Sequence, residues 1–117
     1  MKIAIVVLAD IETHEALGRA VNAMVTALDC KEAGDDVQLI FDGGGTRWPP
    51  VLADEDHQAH DLYTRIEDTV RGACSYCADA FESTEDLKAM GVELLDEYKR
   101  HPSFRRLMAD GYQIVTF

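Results

Sequence analysis

Basic residues are scarce in this sequence. Lysine and arginine together number 11 against 22 aspartates and glutamates, a formal net charge of −11. A surface of that sign repels phosphate backbones and anionic headgroups, so neither nucleic acid nor a membrane is an expected partner. Cysteine is scarce as well: there are three, an odd number, which argues against a disulfide-stapled secreted scaffold. Long apolar runs are missing. The opening run Ile3 to Ala9 is short, has no convincing cleavage site and meets Asp10-Ile11-Glu12 at once, so it reads as a buried strand rather than a secretory signal or membrane span. These absences make the cytoplasm the expected compartment, where thiols stay reduced. Nucleotide-binding glycine patterns are absent too: neither G-x-G-x-x-G nor G-x-x-x-x-G-K-[ST] occurs. The loop Asp42-Gly43-Gly44-Gly45-Thr46 is therefore expected to form a flexible cleft wall closed by Trp48 rather than a phosphate cradle. Arg47-Trp48-Pro49-Pro50 is not expected to open a helix.

What the chain does contain is a regular alternation. A length of 117 residues with 47% hydrophobic residues fits one domain, residues 1–117, with a real core. Lys2 to Leu8 is near-continuously hydrophobic, as a parallel strand buried on both faces would be. A helix follows from the N-cap Thr13 to Gly34, with an inward stripe of Leu17, Val21, Met24 and Leu28. Cys30 on that helix reads as a small buried hydrophobe. Further strands are expected at Val37–Phe41, Val70–Ala73, Val92–Leu95 and Tyr112–Phe117. Helices should fall between them, begun near Asp54–Asp56, Ser75, Ser83 and His101-Pro102-Ser103. Five strands alternating with helices specify a parallel α/β sheet covered on both faces.

In such sheets the ligand crevice lies outside the carboxyl ends of the strands. Those ends carry Asp10 with nearby His14, the loop Asp42 to Thr46, and Cys74-Ser75-Tyr76-Cys77. Cys74 falls at the mouth of a helix, where free N–H groups and the dipole favour the nucleophilic thiolate. It is therefore expected to be more reactive than Cys77, one turn further on.

The KIAIVVLAD opening, the strand ending Phe41-Asp42-Gly43-Gly44-Gly45-Thr46, the segment Gly72 to Ala78 and the close Asp110 to Phe117 together resemble the DsrE/DsrF-like sulfur-relay family. The resemblance spans essentially the whole chain. It implies a three-layer α/β/α sandwich with five parallel strands, assembled as a homo-oligomer (trimer or hexamer). It also implies a sulfurtransferase-type carrier that passes persulfide sulfur between donor and acceptor proteins from the cysteine after the third strand. Cys74 matches that position, and Cys77 is a candidate resolving thiol. Trp48, Tyr76 and Phe81 are candidate contacts between subunits.

Two other readings stay open. One is an oligomeric binding module that presents the Gly43–Gly45 loop and Trp48 to a small ligand, with structural cysteines. The other is a zinc protein in which His57-x-x-His60 joins Cys74-x-x-Cys77. The sulfur-carrier reading requires no metal and no cofactor.

Overall fold

Five parallel strands in the order β4-β3-β2-β1-β5 form the sheet on which the molecule is built. The computed structural model describes all residues from Met1 to Phe117. Strand β1 (Lys2–Val7) pairs with β2 (Asp36–Phe41) on one side and β5 (Gln113–Thr116) on the other. Beyond β2 lie β3 (Val70–Cys74) and the two-residue β4 (Leu94–Leu95). Side chains alternate across β1, and both sets are buried. Ile3, Ile5 and Val7 enter a core of 19 residues on one face, while Ala4 and Val6 join a smaller cluster of five on the other.

The larger core is roofed first by α1 (His14–Glu32), which Thr13 caps by accepting from the Ala16 N–H at 3.0 Å. Its buried stripe is Ala16, Ala20, Ala23, Met24, Ala27 and Cys30. The stripe is set one position back from the expected one, and Leu17, Val21 and Leu28 flank it half-buried. Four of its six members are alanines, small side chains set over a sheet face already filled by Ile3, Ile5 and Val7, while Met24 supplies the one large fully buried side chain. Short helices α2 (Trp48–Leu52), α3 (His60–Ile66), α4 (Ser75–Ala80) and α5 (Thr84–Met90) complete that layer, with Trp48, Leu52, Tyr63, Ile66, Ala78 and Leu87 in the core. The opposite face carries α6 (Phe104–Ala109), whose Leu107 packs on Ala4, Val6 and Ile40. The result is the α/β/α sandwich read from the sequence. No helix is long and apolar enough to cross a membrane.

Helix α2 corrects one expectation. Arg47-Trp48-Pro49-Pro50 does open a helix, of a single turn, because Pro49 and Pro50 stand in its first turn, where a missing N–H costs no intrahelical bond.

Strand register positions the site. Phe41 pairs with Ala73, and Ala73 with Leu94. The chain therefore leaves β2 at Asp42, β3 at Cys74 and β4 at Leu95 at neighbouring points on one edge of the sheet.

Candidate functional site

Cys74 is both the last residue of β3 and the N-cap of α4, and its Sγ accepts from the Cys77 N–H at 3.4 Å. The helix mouth expected from the sequence is present. The expected thiolate is not favoured there: Cys74 is fully buried, and burial pushes its thiol up to about 12. The nearby charge of Asp42 adds to that rise, against the pull of the Cys77 N–H. Cys77 is half-buried, and its thiol too is raised by burial, with the Cys74 thiol and the Gly43 N–H acting in the opposite direction. The more accessible thiol is therefore Cys77, the reverse of the order expected from position alone.

Against Cys74 lies a residue the sequence reading used only as a helix start. His101 Nδ1 is 3.2 Å from Cys74 Sγ. It is delivered by a tight turn in which Tyr98 and His101 exchange backbone hydrogen bonds of 2.9 and 2.8 Å. The two central residues, Lys99 and Arg100, have φ of 47° and 67°. Such left-handed backbone usually calls for glycine or asparagine, so the turn holds strain that its surroundings must offset. They do so through α4. The Tyr76 N–H donates to the Arg100 carbonyl at 2.9 Å, the Arg100 guanidinium pairs with Asp79, and the Tyr76 ring lies 5.0 Å from the His101 ring.

Asp42 closes the group from the end of β2. One of its oxygens accepts from the Gly43 N–H at 2.8 Å. The ligating atoms of Asp42, Cys74, Cys77 and His101 all lie within 4.8 Å of one another.

The glycine loop is not a flexible wall. Gly43–Arg47 forms a 3-10 turn with Gly44, Gly45 and Thr46 buried. A Cβ on Gly45 would collide with the Val7 carbonyl, and one on Gly44 would come within 2.8 Å of the Asp10 side chain. The glycines let this turn press against the exit of β1, so their role is packing. Trp48 does not close a cleft and is not exposed to a partner subunit: it is buried at 2% exposure, with its indole N–H donating to the Ala9 carbonyl at 2.7 Å. Tyr76 and Phe81 are exposed.

The remaining residues proposed from the sequence lie apart from the thiols. Asp10 pairs with Arg47 at 3.0 Å and borders a separate cleft of about 450 Å³ between the ends of β1 and β5. His14 is exposed in the first turn of α1. His57 and His60 do not join the cysteines. His57 Nδ1 accepts from the Ala59 N–H at 3.0 Å, and His60 Nδ1 sits 2.8 Å from the Leu52 carbonyl. Both rings thus tie together the segment joining α2 and α3, and the four-residue zinc set drawn from the sequence is replaced by one containing Asp42 and His101. A signal for His101 was present: consecutive strands most often lie side by side, an arrangement that sets β4 beside β3 and brings the loop after β4 out next to Cys74.

No family model matches the chain. A protein of Methanocaldococcus jannaschii, described as uncharacterized, is 27% identical over 94 residues, covering 80% of this chain and 76% of its own. A solved structure from Bacteroides thetaiotaomicron, described as a conserved protein of unknown function, is similar with a TM-score of 0.59 and 14% identity, over 97% of this chain and 94% of that one. That likeness is one of fold.

Proposed function

We propose that this protein is a cytoplasmic carrier of sulfane sulfur of the DsrE-like, sulfurtransferase kind, with Cys74 as the residue that holds the sulfur. The observation that carries the reading is the 3.2 Å approach of His101 Nδ1 to Cys74 Sγ, with the Cys77 thiol in the same group. A buried thiol needs a base to become a nucleophile, and an imidazole at hydrogen-bond distance is one.

Sulfur enters at Cys77, the half-buried thiol. Its thiolate attacks the terminal sulfur of a donor persulfide: the Cys77 Sγ–S bond forms, the donor S–S bond breaks, and the donor leaves as a thiolate. Cys74 gives its proton to His101 and repeats the exchange. The Cys74 Sγ–S bond forms, the Cys77 Sγ–S bond breaks, and the Cys77 thiolate is restored. No net oxidation occurs. Burial of Cys74 shields the stored sulfur from free thiols until an acceptor protein reverses the path. The same reading includes a homo-oligomer, trimer or hexamer, with the exposed Tyr76 and Phe81 as contact residues. Light scattering showing a monomer at micromolar concentration overturns that assembly.

Intact mass after incubation of the reduced protein with inorganic polysulfide tests the carrier. One reductant-labile sulfur per chain is expected, and none in a Cys74→Ser/Cys77→Ser double variant. A folded wild-type chain that gains no sulfur overturns the proposal.

A further inference from the structure

We infer that Asp42, Cys74, Cys77 and His101 form a four-ligand site for a zinc-type divalent cation, and that metal and sulfane sulfur exclude one another there. The first half stands on geometry alone; the exclusion rests on the carrier reading. Two thiol sulfurs, an imidazole nitrogen and a carboxylate oxygen lie within 4.8 Å of each other. In a tetrahedral zinc site, bond lengths of about 2.3 Å to sulfur and 2.0 Å to nitrogen put neighbouring ligand atoms about 3.3 to 3.8 Å apart. Cys74 Sγ and His101 Nδ1, at 3.2 Å, are within about 0.3 Å of that spacing. The widest pair must close by only about 1 Å, and side-chain rotation of the half-buried Asp42 and Cys77 is available to do so.

The donor types select the metal. Thiolates and imidazole suit zinc and disfavour magnesium or calcium, which take oxygen ligands. The Cys-x-x-Cys spacing, with one sulfur capping the helix that carries the other, brings both to one side of the ion. Contacts from outside the group hold two of the ligands in place. Gly43 N–H holds one Asp42 oxygen, Tyr76 backs the His101 ring, and the Arg100–Asp79 pair fixes the turn behind it. Four protein ligands leave no open position, so the ion is structural or protective rather than a Lewis acid for substrate. With both thiolates bound to metal, neither is free to attack a persulfide.

Anaerobic titration of the reduced protein with cobalt(II) is the test. One equivalent should bind with intense tetrahedral d–d bands and thiolate-to-cobalt charge-transfer absorption, both displaced by zinc. The charge-transfer band should be reduced in Cys74→Ser and in Cys77→Ser, and lost when both are replaced. His101→Ala and Asp42→Asn should lose at least what loss of a supporting contact costs, about tenfold in affinity. Cys30→Ser, remote from the site, should leave the spectrum unchanged. If Cys74→Ser does not fold by circular dichroism, the variants at partly exposed Cys77, His101 and Asp42 decide. Weak octahedral absorption in the folded wild type, or full affinity in all three of those variants, overturns the site. Polysulfide loading on the same preparation separates the two readings. Loading without cobalt binding overturns the metal site alone, cobalt binding without loading overturns the carrier and the exclusion, and loading unchanged by one equivalent of zinc overturns the exclusion.

Discussion

Cys74 Sγ and His101 Nδ1 lie 3.2 Å apart although 27 residues separate them in the chain. The contact exists because β3 and β4 are neighbours in register, and because a strained turn after β4 points its last residue back over the start of α4. Everything proposed for the site depends on that convergence.

Accessibility sets the first expectation. Cys77 is half-buried and Cys74 is fully buried, so a small alkylating agent should label Cys77 well before Cys74. Peptide mapping over a time course checks this, and labelling of Cys74 first would mean that α4 opens readily in solution.

Much of the fold was legible because it is written locally. β-branched runs mark the strands, Thr13 and Ser103 cap the helices they precede, and Gly91 ends α5 with φ of 76°. Three of the misreadings share a cause: they depended on contacts distant in sequence. Trp48 looked like a surface aromatic until the Ala9 carbonyl, 39 residues earlier, accepted its N–H. The three glycines suggested mobility, and the β1 exit that they pack against is equally remote. His101 carries no local motif, and only the strand order brings it to the cysteines. The thiolate argument failed differently, since position at a helix mouth says nothing about how much water remains there.

The turn behind His101 should be sensitive to Asp79. Asp79→Asn removes an exposed ion pair with Arg100, which adds little to global stability because solvent screens it. It also frees the strained Lys99-Arg100 backbone, so His101 should lose its fixed approach to Cys74. The expected outcome is a melting temperature within a few degrees of wild type and sulfur loading slowed several-fold. Unchanged loading would mean that the Tyr76–Arg100 backbone bond holds the turn unaided.

Gly45 should tolerate no side chain. Gly45→Ala drives a methyl into the Val7 carbonyl, an overpacking that costs about 3 kcal/mol or more because backbone, not a flexible side chain, must move. Urea denaturation measures the loss. Gly34→Ala meets no atom within 4 Å but has a φ of 83°, so it should cost about 1 kcal/mol from backbone strain alone.

Tyr63 gives an alkaline dependence. Burial, with Glu67 nearby, raises its hydroxyl from 10.0 to about 12 in the folded protein. The folded state then holds a proton that the unfolded chain releases. Stability from this group is complete below pH 10 and falls as pH rises towards 12. Tyr63→Phe should flatten the decline in melting temperature across that interval. A slope equal to wild type would assign the loss to other groups.

The most direct measurement locates the sulfur itself. Wild-type protein loaded with polysulfide, trapped by alkylation and fragmented by tandem mass spectrometry should carry the added sulfur on Cys74. In Cys74→Ser the sulfur should be found on Cys77 and be removed quickly by free thiol, because the buried storage position is gone. Sulfur on Cys30, or no sulfur on either Cys74 or Cys77 in folded protein, would contradict the assignment of this site as a sulfur carrier.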